Sequence, residues 1–147
     1  MKKTLSLLLF IPLLSYSQTY DDIMNMNSEK NFIRTMIENG YQKLIEHSTD
    51  SMIVYGLNHS NFLDIEKVDK MGIYHKYNDV FMISDVEKTD YKTIIEKIKK
   101  NCEYYDIMDN NGTDFLCYSC PQSKYSGKIG YTVMEGMGTI LHFPKEE

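Results

Sequence analysis

Asn111-Gly112 constrains this chain more than any other pair of residues, because it sits between two strand-like runs and favours a two-residue turn with both residues at positive φ. With that turn in place Asn110 faces Thr113, and counting back sets Asp106 against Cys117 and Glu103 against Cys120. Cys102 then lies beside Cys120. Cys117 is about four residues farther along the ladder, roughly 13 Å at strand rise, beyond the Cα separation that a disulfide spans. The register therefore predicts a disulfide between Cys102 and Cys120. The chain has three cysteines, so Cys117 is left over and is expected to pack as a small hydrophobe.

A disulfide implies an oxidising compartment, and the N-terminus agrees. Lys2 and Lys3 precede the apolar run Leu5 to Leu14, and Ser15-Tyr16-Ser17 places small residues where a signal peptidase reads them, so residues 1–17 read as a signal peptide cut after Ser17. The run is too short for a span, which needs about 20 apolar residues, and no later stretch approaches that length. Removing residues 1–17 of the 147 leaves 130, one domain over 18–147 that is long enough to bury a core. The net charge of −5 becomes −7 once Lys2 and Lys3 are gone, which opposes attraction to phosphate backbones and anionic bilayers. The mature protein is accordingly expected to be bacterial, exported to periplasm or medium, and to bind neither nucleic acid nor membrane.

Hydrophobic spacing supplies the elements. Gln18 to Asn27 is polar and acidic and is expected to be partly ordered at best. Ser28 can cap a helix over Glu29 to Asn39 whose stripe is Phe32, Ile33, Met36 and Ile37, with Gly40 as the left-handed stop. Tyr41 to His47 and Ser51 to Asn58 read as a hairpin, Asn61 to Lys70 suits either a short helix or an irregular strand, and Met71 to Tyr77 and Val80 to Ser84 form a second hairpin. A second helix follows, capped by Thr89, with Tyr91, Ile94, Ile95 and Ile98 on one stripe and Asn101 as its left-handed end. Four strands close the chain: Glu103 to Met108, Thr113 to Ser119, Lys128 to Met134 and Thr139 to Phe143, with Gly136 and Gly138 marking the last turn and a bulge.

Both halves thus read helix and then four strands. Asn39-Gly40 aligns with Asn101-Cys102, and Ile53-Val54 with Phe115-Leu116, at an offset of 62; Lys70-Met71-Gly72-Ile73 aligns with Lys128-Ile129-Gly130-Tyr131, and Met82-Ile83 with Ile140-Leu141, at an offset of 58. The expected fold is α+β: two units, over 28–84 and 89–143, that form an antiparallel sheet with both helices on one face. The plan resembles that of the beta-lactamase inhibitory protein family in element order alone. That resemblance implies a sheet surface presented to a partner.

The chemical candidates carry less. Cys117-Tyr118-Ser119-Cys120 falls in a strand and loop rather than at the helix N-terminus that activates a redox thiol, and two further zinc ligands at suitable spacing are lacking. His47, His59, His75 and His142 show no paired spacing, and Ser51, Ser60 and Ser84 lack a nucleophile elbow. Gly127, Gly130, Gly136 and Gly138 precede strands rather than a phosphate-binding helix. No catalytic, cofactor-binding or metal-binding residue is assigned, and no cofactor is expected. The chain is rich in tyrosine, with 12 Tyr and no Trp. Most of these rings suit half-buried sheet positions, while Tyr74, Tyr77 and Tyr131 are candidates for an exposed recognition cluster. Together these features point to a small exported binding module for a protein, peptide or small ligand, with an inhibitor or immunity protein inside that class. An exported hydrolase or thiol-dependent enzyme is the alternative.

Overall fold

A computed structural model describes residues 18–57, 69–76, 79–87, 89–121 and 127–144. The expected leader, most of the ambiguous stretch from Asn61 to Lys70, Tyr77 and most of the connection from Pro121 to Ser126 lie outside these residues.

The N-terminal segment expected to be partly ordered is instead a helix, α1 (Tyr20–Asn25), started by a capping box in which Thr19 and Asp22 bond each other's backbone N–H. Six residues are too few to hold a helix in water. Burial holds it, since Ile23, Met24 and Met26 are all within 1 % of full enclosure. α2 (Glu29–Glu38) begins at Ser28, whose hydroxyl accepts the Asn31 N–H, and the chain leaves it through Gly40 at φ 77. α3 (Tyr91–Asn101) departs from expectation at both ends. Asp90 occupies the cap position, while Thr89 donates to the Asp85 carbonyl and accepts the Tyr91 N–H. Asn101 stays helical, and Cys102 at φ −129 carries the chain straight into the next strand.

Eight strands follow the sequence pattern: β1 (Gln42–Lys43), β2 (Met52–Leu57), β3 (Lys70–His75), β4 (Val80–Asp85), β5 (Glu103–Asn110), β6 (Thr113–Ser119), β7 (Gly127–Met134) and β8 (Met137–Pro144). They form one antiparallel sheet in the order β1-β2-β3-β4-β8-β7-β6-β5, so the protein is α+β. β1 is shorter than the strand expected over Tyr41 to His47. Ser48 Oγ donates to the Leu44 carbonyl and accepts the Val54 N–H, taking over the ladder position, and Ile45–His47 coils into a 3-10 turn.

Two turns show why their residues are where they are. Asn111 and Gly112 sit at φ 55 and 82, and Glu135 and Gly136 at φ 51 and 82, the doubly positive geometry that matches strand twist. Gly138 is not a bulge, because the β7–β8 register runs unbroken through Val133↔Gly138. Its bare Cα makes room for the Tyr91 ring, which a Cβ would overlap.

The bulge lies in β5 instead. Tyr104 faces Tyr118 and Asp106 faces Cys117, so Tyr105 is the inserted residue, and Glu103 meets Ser119 rather than Cys120. That one-residue slip brings Cys102 level with Cys120, and the two form the expected disulfide at a Cα separation of 4.3 Å. Cys117 is free and buried.

Burial alternates along the strands. The main core gathers Tyr55, Tyr74, Met82, Ile140, Ile129 and Tyr131 with the apolar sides of the three helices. Residues one step out of phase, Phe115, Cys117 and Leu141, form a second cluster with Phe81, Met108 and Phe143. The strands that end each half, β4 and β8, are direct neighbours, and Met82 lies opposite Ile140. The third strands are less alike. An added Cβ at Gly72 would meet Met36, Met82 and Phe32, whereas one at Gly130 would meet Cys117 and Phe115, so the two aligned glycines face opposite sides of the sheet.

Candidate interaction edge

A sheet with eight strands has two edges, and here they differ. β1 contributes two residues to one edge. The other is β5, an eight-residue strand paired on one side only among the described residues. The Asn110↔Thr113 pair flanking the two-residue turn is the mutually hydrogen-bonded kind, and such pairs alternate along a ladder. Met108 and Asp106 therefore bond β6, while the backbone groups of Ile107 and Asp109 point away from the sheet.

The side chains along this edge are large and uncovered. Tyr104 is 54 % exposed, Ile107 53 % and Tyr105 44 %, and Leu116, which faces Ile107 from β6, is 39 % exposed. Tyr104 meets Tyr118 edge-on at 5.6 Å, and Tyr118 stacks on Tyr131 at 5.7 Å, so a line of rings runs inward from the edge. Lys99 of α3 closes the line, its Nζ 5.9 Å from the Tyr131 centroid.

The charges carried by β5 and β6 have one sign. Glu103, Asp106 and Asp109 lie on β5 and Asp114 on β6, all exposed, and residues 103–119 contain no Lys or Arg. The register sets Asp109 directly against Asp114, a pairing of like charges that costs stability in a ladder. Asp106 turns its carboxylate back to accept the outward Ile107 N–H at 2.8 Å. On the same face of the sheet as Asp106, Lys128 of β7 stands over the Tyr105 ring at 5.2 Å.

Of the residues singled out from sequence, Tyr131 is the buried inner end of this ring line and Tyr74 lies away from it on β3. Tyr74 is 4 % exposed and Tyr131 8 %, so neither offers a free ring, and Tyr77 lies outside the described residues. Phe32 of α2 packs on Tyr74 at 5.5 Å. Tyr104, Tyr105 and Ile107 were not singled out. The signal for them was the run of acids without a cation from Glu103 to Ser119, but only the strand order places that run at an edge.

Among the described residues, the groups that could do chemistry do not converge. Cys117 faces Gly130 and Phe115, and burial pushes its thiol pKa up, opposite to the shift of an activated nucleophile. His142 lies one step out of phase, in contact range of the Ile23 backbone, and is fully enclosed. Neither of its ring nitrogens reaches hydrogen-bonding geometry among the described residues, and burial lowers its pKa to about 4. His75 packs on Phe81. Among the described residues, no group of three or more His, Cys, Asp or Glu is placed to hold a metal ion, and no helix is long and apolar enough to cross a membrane. No protein-family profile, curated protein or solved structure matches this chain.

Proposed function

We propose that the protein is a small exported interaction module that holds a polypeptide partner at the β5–β6 end of its sheet. The observation that carries this reading is the exposed edge of β5, where Tyr104, Tyr105 and Ile107 line a strand whose outer backbone groups have no strand partner among the described residues. Exposed apolar residues along an edge strand suit a chain that adds to a sheet. They are spread along the strand rather than gathered in a cavity, which favours a polypeptide over a small ligand. Export is supported by the Cys102–Cys120 disulfide, which persists in an oxidising compartment. An inhibitor or immunity protein would work through the same surface.

The scaffold behind that edge is, in this reading, two copies of one helix-plus-four-strand unit with both helices on a common face. The strand order supports it, since it runs outward from a central β4–β8 pair through the same succession on each side. So does the meeting of Met82 with Ile140 at the centre, because these residues also align at the offset of 58. The Gly72 and Gly130 mismatch marks a one-residue divergence between the copies.

The enzyme alternative is the weaker reading, because Cys117 and His142 occupy opposite faces of the sheet. Photocrosslinking tests the interaction reading. A photoreactive residue at Leu116 should give a discrete polypeptide adduct in the exported fraction of the source cells, absent with the same group at Lys43 and abolished by Ile107→Lys. Equal labelling from both positions, or none, would sink it.

A further inference from the structure

The β5 edge narrows the chemistry of the partner. Three observations converge. The outward backbone groups of Ile107 and Asp109 are positioned for a ninth strand. The side chains of the edge are apolar and acidic: Tyr104, Ile107, Leu116, Asp109 and Asp114 share one face of the sheet, and Glu103 and Asp106 lie on the other. Residues 103–119 hold no Lys or Arg, and Lys128 of β7 stands over Tyr105 on the Asp106 face, away from Asp109 and Asp114.

We infer that β5 is a docking edge for an extended, basic segment of a partner polypeptide, which sets Lys or Arg side chains beside Asp109 and Asp114 on one face of the sheet and beside Asp106 on the other, while its apolar residues cover Ile107 and Leu116. This rests on the interaction reading and specifies the partner. The Asp109↔Asp114 pair supplies a reason for the charge. Two carboxylates held opposite each other repel, and a cation placed beside them turns that repulsion into attraction. Asp106 supplies a reason for selectivity. Its carboxylate occupies the Ile107 N–H in the free protein, blunting the edge against strands in general. An incoming Lys or Arg gives that carboxylate a better partner and releases the N–H to the ladder.

A second copy of the chain fits this edge poorly. Pairing β5 with itself about Ile107 is geometrically sound but doubles the three acids of the strand, with no Lys or Arg in β5 or β6 to meet them. Acidic strands are excluded on the same ground, which is specificity by repulsion.

The test uses the full mature chain and three synthetic nonapeptides built on a Val-Val-Lys-Lys repeat, with Lys kept or replaced by Gln or by Glu so that both faces of the strand carry both residue types, plus a Lys peptide N-methylated at consecutive residues, which blocks both of its edges. Fluorescence anisotropy should show the Lys peptide binding at least about tenfold more tightly than the Glu peptide, and weakening as ionic strength rises from ~0.02 M to ~0.2 M. Amide exchange at Ile107 and Asp109 should slow on binding, and the N-methylated peptide should do neither. Asp106→Asn with Asp109→Asn keeps side-chain shape and should abolish the Lys over Glu preference without altering the native amide spectrum elsewhere. Equal binding of the Lys, Gln and Glu peptides with slowed β5 amides would overturn the charge inference while leaving the interaction reading intact. Peptide binding that leaves Ile107 and Asp109 unprotected, or no binding, would overturn strand addition here. The Leu116 crosslink then judges the broader reading by itself. A dimer in sedimentation with the same amides already protected would make the occupant a second copy and overturn the proposal.

Discussion

His142 couples the core to pH. It is fully enclosed near Ile23, and its pKa of about 4 lies below the ordinary histidine value of about 6.5. The folded state therefore binds the proton less readily than the unfolded chain, and the sign follows from linkage. Stability is fully present above about pH 6.5 and falls by about 1.4 kcal/mol per unit as pH drops toward 4, about 3 kcal/mol in all. Urea midpoints measured from pH 7.5 to 4 should show this slope, and His142→Leu should flatten it. An unchanged slope in the variant would place the proton uptake elsewhere. Gly138 makes a steric claim of the same local kind. Tyr91 lies where its Cβ would be and is fixed by donating its hydroxyl hydrogen to the Thr132 carbonyl at 2.7 Å. Gly138→Ala should cost about 2 kcal/mol or more through overpacking. Tyr91→Phe frees the ring to shift, so the penalty should shrink in that background. Equal penalties in both backgrounds would show that the ring is not what the methyl meets.

Elements were legible in this sequence where a local residue sets the backbone, and were missed where burial or topology does. Asn111-Gly112 gave its turn, Ser28 its helix start and Gly40 its helix end, because each acts within a few residues of itself. α1 was missed because its acidic first turn reads as solvated, and its stability comes from Ile23, Met24 and Met26 reaching into a core assembled from distant strands. The Cys102–Cys120 pairing was legible, but the bulge at Tyr105 was not, since a strand carries no local mark of a one-residue insertion. Edge status is beyond sequence altogether: Tyr104 and Tyr131 look alike in strand patterns, and only the strand order exposes one and buries the other. The disulfide joins the end of α3 to the end of β6, and the Tyr20 hydroxyl lies 3.3 Å from Cys102 Sγ, so the staple also touches α1. Closing a loop across a sequence separation of 18 should contribute about 3 kcal/mol in the chain-entropy description. Cys102→Ser with Cys120→Ser should lower the urea midpoint accordingly, and reductant should do the same to the native chain but not to the variant. A midpoint indifferent to reductant would mean the bond is not formed in solution.

The whole molecule depends on one seam, because β4 and β8 provide the direct strand contact between the halves of the sheet. At its centre Met82 and Ile140 face each other with 2 % and 1 % exposure, so each fills space that the other helps to define. Gln18 reaches Met82 Sδ through its amide, and Tyr41 in turn donates to the Gln18 Oε1, tying the N-terminal segment to the same point. A seam this enclosed leaves neither half a finished core. β4 alone would expose Val80 and Met82, and β8 alone would expose Ile140 and His142. The chain should then unfold in one cooperative transition, with fluorescence and far-UV circular dichroism giving the same midpoint. Met82→Ala and Ile140→Ala should each cost about 2–4 kcal/mol. The double variant should cost less than their sum by about 1 kcal/mol, because the second truncation enlarges a cavity that the first has already opened. Additive losses would show that the two side chains do not share a packing site. Two separated transitions would go further, since each half would then hold its own core and β4–β8 would be a junction between independent domains.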